Sequence, residues 1–143
     1  MKFSEMEPGT WEELRPYLDT CLIPVTGLTG KEQPHEVTAA LERLRDIMDL
    51  VEIPFHGRIV TYPSFQYGRE EILSQVNEIC HHVKSGGFRY AIVISTDVEP
   101  ENERLPAADL IITPERFPAA GELPAGQRVK DAVQRLWKGD SKI

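Results

Sequence analysis

Asp97 and Glu99 are the carboxylates of this chain whose setting best suits chemistry. They follow the apolar run Tyr90-Ala91-Ile92-Val93-Ile94 and the hydroxyl pair Ser95-Thr96. An acidic pair beyond the end of a strand fits two roles. Either residue can take a proton as a general base, and together they suit a hard cation such as Mg²⁺ or Mn²⁺, with His35 reaching the same edge from a helix start. Against the metal role, Glu99, Glu101 and Glu103 continue one acidic run with no second ligand motif, which is the pattern of solvated loop charges. No metal and no cofactor is therefore expected.

Ser64 and Tyr67 supply hydroxyls in the loop Ser64 to Gly68, after the strand-like run Arg58-Ile59-Val60-Thr61-Tyr62. In open parallel sheets, ligands bind beyond the carboxyl ends of the strands. That edge gathers Thr26, Gly27, Ser64, Gln66, Tyr67, Ser95, Thr96, Asp97 and Thr113. Ser64, Tyr67, Thr96, Asp97 and Glu99 are the candidate ligand-edge residues.

The remaining reactive types read as structural. His81 and His82 are adjacent on a helix and cannot share a face, which denies them the spacing of a two-histidine metal site. His56 belongs to a turn at the opposite edge of the sheet. Cys21 and Cys80 lie within apolar patterns and lack a motif-linked His or Asn, so two buried, reduced thiols are expected. Gly27-Leu28-Thr29-Gly30 lacks the glycine spacing of a phosphate loop, and Gly86-Gly87 ends a helix instead of opening one.

The elements that must position these groups follow from periodicity. A capping-box pair, Thr10 and Glu13, opens a short helix running to about Tyr17. Cys21 to Val25 reads as a buried strand, and Pro24, which lacks an amide donor, predicts that it is interrupted or near an edge. Val37, Ala40, Leu41, Leu44, Ile47, Met48 and Val51 recur at helical spacing from Pro34 to just before Pro54. Ile72, Val76, Ile79, Cys80 and Val83 mark a third helix, stopped by Gly86-Gly87. Tyr90 to Ile94 has the composition of a central parallel strand, and Leu110-Ile111-Ile112 that of a short fourth one. Pro118, Gly121, Pro124 and Gly126 fill an irregular connection to a last helix from about Gln127, ended by Gly139. Alternating strands and helices with right-handed crossovers give one α/β domain over residues 1–143, a three-layer sandwich with a mainly parallel sheet of about four strands.

Leu18-Asp19-Thr20 with Ile23-Pro24, the stretch GRIVTYPSFQYG from Gly57 to Gly68, and GGFRYAIVISTD from Gly86 to Asp97 resemble the YpiF-type family of uncharacterised proteins from Bacillus-like bacteria. The resemblance spans roughly the first hundred residues in the same element order and implies no activity. The layout of Gly57 to Asp97 is also similar, more distantly, to creatininase-like amidohydrolases. Those enzymes carry a pair of metal ions on His-rich motifs, and here the matching position holds Ser95-Thr96-Asp97-Val98-Glu99 instead.

Composition bounds the function. A formal net charge of −7 without a Lys/Arg cluster opposes counterion release and disfavours nucleic acid as a partner. Met1 to Glu13 lacks the basic flank and apolar run of a signal peptide, and no stretch approaches membrane-spanning length, so a cytoplasmic protein without membrane insertion is expected. With no complete nucleophile, metal or phosphate motif, the leading expectation is a non-catalytic interaction or regulatory domain with a protein partner. The alternative is a small-molecule-binding protein or hydrolase using the loops after the second and third strands.

Overall fold

A computed structural model describes residues 1–119 and 124–139. Its strands are β1 (Thr20–Leu28), β2 (Ile59–Thr61), β3 (Phe65–Tyr67), β4 (Tyr90–Ser95) and β5 (Leu110–Ile112). They form one parallel sheet in the order β2-β1-β4-β5, with β3 beside the far end of β1. Its helices are α1 (Pro8–Leu14), α2 (Pro34–Glu52), α3 (Leu73–Ser85) and α4 (Ala125–Lys138).

The side-chain period of two sorts each strand between two cores. Leu22, Ile92, Ile94, Leu110 and Ile112 meet Leu44, Ile47 and Val51 of α2 and Val129, Val133 and Leu136 of α4. Cys21, Ile23, Ala91, Val93 and Ile111 point the other way, onto Leu73, Val76 and Cys80 of α3, with Trp11 and Leu14 of α1 at the margin. The result is the three-layer α/β/α arrangement. The sheet has five strands instead of about four, because Phe65–Tyr67, expected as loop, pairs with β1 as β3.

Pro24 interrupts nothing, and β1 is a central strand of nine residues. Thr20 donates its N–H to Arg58 and Leu22 offers its carbonyl to Tyr62, so the even positions of β1 face the β2/β3 side. Pro24 shares that parity and faces the gap between β2 and β3, where a missing donor leaves no ladder bond unmade. The first helix also differs: it begins at Pro8 with Glu7 as its N-cap, so Thr10 lies inside it. Proline's preset φ and absent N–H fit the first helical position. It ends at Leu14, short of Tyr17. The last helix starts at Ala125 behind Pro124, which places Gly126 in the helix; Gly121 lies outside the described residues.

Two polar clusters lock the layers. Asp109, 6% exposed, accepts from the Ala91 amide at 2.9 Å and from Lys84 Nζ at 3.1 Å, fixing β5 beside β4. At the amino ends of the strands, Arg58 grips Asp19 with two hydrogen bonds (2.9 and 3.1 Å) and lies 4.1 Å from the ring centroid of Trp137. Trp137 Nε1 donates to Thr20 Oγ1 at 2.9 Å, tying α4 to the start of β1.

Candidate functional site

The chain passes from β1 through α2 to β2, then returns through α3 to β4 on the other side of β1. The carboxyl ends of β1 and β4 therefore form a topological switch point, where open α/β sheets take their ligands. Thr96 and Asp97 lie there, immediately past β4. They border a cleft of about 460 Å³ between α2 and α4. Ile47, Leu50, Phe117 and Val129 make its floor, and Arg43 and Asp46 stand on its rim. Thr96 Oγ1 is buried without a well-formed hydrogen bond among the described residues, and it lies near enough to the Asp97 carboxylate to help hold that group ionised.

Asp97 is not a free carboxylate. Arg43 of α2 donates Nε to Oδ1 at 3.1 Å and Nη2 to Oδ2 at 2.8 Å. This guanidinium holds the Asp97 carboxyl below the usual aspartate range, which makes it a weak base. Glu99 is engaged as well: Thr113 Oγ1 donates to one oxygen and Arg116 Nε to the other at 2.9 Å. Thr26 Oγ1 donates to Gln66 Oε1 at 3.0 Å, and Ser95 Oγ accepts from the Val98 amide at 3.2 Å. Thr26, Gln66, Ser95 and Thr113 thus spend their side chains holding strand ends together.

Ser64 and Tyr67 lie apart from the cleft. Ser64 borders a separate depression with Glu52 and His56, and Tyr67 is 62% exposed on β3. Since β1 runs between them and β4, their backbones stand roughly 9–10 Å, two strand spacings, from the β4 end. His35 is exposed in the first turn of α2 and does not border the cleft. His56 sits in the turn before β2, and His81 and His82 are exposed on α3. Both thiols are fully buried; burial pushes Cys80 up to about 12 and raises Cys21 further. Among the described residues, no group of three or more His, Cys, Asp or Glu side chains is placed to hold a metal ion, and no helix is long and apolar enough to cross a membrane.

The switch-point crevice itself is filled by the protein. Arg69 Nη1 donates to the Gly27 carbonyl at 2.9 Å and Nη2 to the Asp97 carbonyl, bolting the ends of β1 and β4 together. Val98 packs so closely on Gly27 that a Cβ there would meet its Cγ2 at 2.4 Å. In the following loop the Thr29 and Gly30 amides donate to the Glu32 carboxylate, and chiefly the Thr29 N–H holds that carboxyl down to about 2. The glycine loop thus spends its amides on an internal carboxylate. Arg43, Arg69 and Arg116, which organise this edge, gave no signal in the sequence. Each looks like an ordinary exposed arginine, and only the topology brings them to the strand ends.

Comparison with known proteins is consistent with an uncharacterised family. No curated protein and no solved structure matches the chain. The family model described as "Protein of unknown function (DUF2487)" matches residues 9–115, well over half of the sequence and every strand of the sheet. The chain therefore belongs to the DUF2487 family of proteins of unknown function.

Proposed function

We propose that this chain is a non-catalytic binding domain that holds a small ligand, as a sensor or regulator, in the cleft between α2 and α4. One observation carries the reading: Asp97, the carboxylate that a hydrolase would use as its base, is bound through both oxygens by Arg43 at the mouth of an apolar-floored cleft. A paired carboxylate with lowered basicity positions ligands better than it removes protons. The cleft has the size and the lining of a small-molecule site, mostly apolar with a few convergent polar groups. The YpiF-type likeness brings no activity with it. The creatininase-like layout favours a hydrolytic role, and the pairing of Asp97 and Glu99 with arginines weighs against it.

The test is an amide-resolved NMR screen with a panel of small apolar probes bearing neutral, acidic or basic ends. Shifts confined to Thr96, Phe117 and Val129, and lost in Ala125→Phe, which narrows the cleft, support the reading. No probe shifting these amides at millimolar concentration overturns it.

A protein-docking role is favoured by a different feature, a groove of about 540 Å³ between α1 and α3 walled by Trp11, Tyr62, Phe65 and Phe88. Aromatic side chains of this kind dominate protein interfaces. A partner recovered at stoichiometric yield by the native domain and lost with Trp11→Ser supports that role; equal recovery by the variant removes it.

A further inference from the structure

The aromatic groove between α1 and α3 does not end at Trp11. A second hollow of about 210 Å³ opens beside it toward Phe3 and Met6, and Trp11, Tyr62 and Phe88 border both. These three rings form a ridge between two apolar hollows. Phe88, 7% exposed, is the base of the ridge: Trp11 packs on it with ring centroids 5.8 Å apart, and Tyr62 meets it edge-on at 5.6 Å. Rings held in this way lose little freedom when a partner covers them. Trp137 gives its indole N–H to Thr20, whereas neither Trp11 Nε1 nor the Tyr62 hydroxyl has a hydrogen-bond partner among the described residues. Burial raises the Tyr62 phenol above its ordinary value, so it keeps its proton at neutral pH. Among the described residues, no Asp, Glu, Lys or Arg lines either hollow.

We infer that this double groove docks an uncharged, proline-rich peptide segment in its extended polyproline form, an inference that rests on the reading of the groove as a protein-docking surface. Three features select that occupant. Two hollows flanking a ridge fit an extended chain with successive apolar side chains better than one compact molecule. The uncharged lining would leave a charge of the partner buried without a counterpart, which excludes charged segments. The free polar groups on the ridge are donors, an indole N–H and a phenol O–H. An ordinary segment laid there would bring its own N–H groups up to donors, whereas proline has none and presents only carbonyls, which accept. The polyproline helix also has its backbone shape preset, so it loses little entropy on docking against aromatic side chains.

The experiment titrates three capped, uncharged peptides of equal length into the isotope-labelled full chain: decaproline, a Gly-Ser repeat, and an amphipathic helix former. Decaproline should move the Trp11 indole resonance and the Phe65, Val83 and Phe88 amides. It should leave the Trp137 indole, which is bonded to Thr20, in place. The flexible Gly-Ser peptide should bind roughly tenfold more weakly or worse, because its ordering opposes docking. Tyr62→Phe, which removes only the hydroxyl, should weaken decaproline roughly three- to tenfold, and Trp11→Phe, which removes the N–H donor and keeps an aromatic ring, by a similar factor. Unchanged melting temperatures show that both variants are folded. If the helix former or the Gly-Ser peptide moves these resonances as strongly as decaproline, or if both variants bind decaproline as tightly as the native chain, the occupant is wrong while the groove remains a docking surface. Groove resonances that shift with the concentration of the chain alone would make a second copy the occupant and overturn the proline class. If decaproline moves none of them, the proline class is likewise wrong. If, in addition, Trp11→Ser recovers the same partner as the native domain, the docking reading falls too.

Discussion

Gly27→Ala should be among the costliest single-methyl additions in this protein, and its cost can be divided. Gly27 has φ +82°, a left-handed conformation inside the central strand, and an added Cβ would lie 2.4 Å from Val98 Cγ2. The backbone conformation alone costs a non-glycine residue roughly 1–2 kcal/mol. Pushing Val98 aside in a packed region adds roughly 1–3 kcal/mol, for a total of about 2–5 kcal/mol. Val98→Ala by itself removes two methyl groups from a residue 4% exposed, at a cost of about 2 kcal/mol. In the double variant the overlap disappears and the backbone term stays. The two costs should then fall short of additivity by roughly 1–3 kcal/mol. Urea unfolding of the four proteins, with equal m-values as a check on two-state behaviour, measures the cycle. If Gly27→Ala costs less than about 1 kcal/mol, or the pair is additive within about 0.5 kcal/mol, the close approach of β1 to the segment after β4 is not as described.

Further expectations concern the core, the edge and the last helix. Ile92→Ala empties a fully buried position in the sheet centre and should cost roughly 2–5 kcal/mol in the same assay, whereas Asp97→Asn breaks a partly exposed pair and should cost less than about 1 kcal/mol. Because Asp97 titrates below its unfolded value, its contribution is present above the unfolded pKa of about 3.9 and is lost as pH falls through the lower folded value; carboxyl NMR titration should show its midpoint rise in Arg43→Gln. Iodoacetamide should label neither Cys21 nor Cys80 until the chain unfolds globally, and labelling of Cys80 in the folded state would contradict its burial. A chain ending at Glu115 keeps the segment matched by the family but loses the α4 cover of Ile92, Ile94, Leu110 and Ile112, so it should lack a cooperative thermal transition.

The elements with long periodic signals were legible in the sequence. Ala40, Leu44, Ile47, Met48 and Val51 are buried along α2 as their spacing implies, and Ala91 to Ile94 sit fully buried in the sheet centre. Phe65–Tyr67 was not legible as a strand: three residues after a proline are too few to show alternation, and their pairing with β1 depends on contacts far along the chain. Pro24 misled for a related reason, since a proline's cost depends on which neighbour its missing donor would have faced. At the site, the position of Thr96 and Asp97 past a central strand followed from topology. That Asp97 and Glu99 are gripped by Arg43 and Arg116 did not, because a long side chain on an exposed helix or loop carries no sequence mark of what it reaches. Trp137 shows the same limit: its link to Thr20 spans almost the whole chain.

The central claim, a cleft that holds a small molecule without transforming it, is tested most directly by what the protein retains from its own cells. The full chain and Ala125→Phe would each be purified natively without chelator or detergent and denatured, and the released small molecules identified by mass spectrometry. The account predicts a small, largely apolar compound retained near one per chain in the native protein, depleted in the variant, and recovered chemically unchanged after hours of incubation. Equal retention by both proteins, or conversion of the retained compound to a product during incubation, would contradict it.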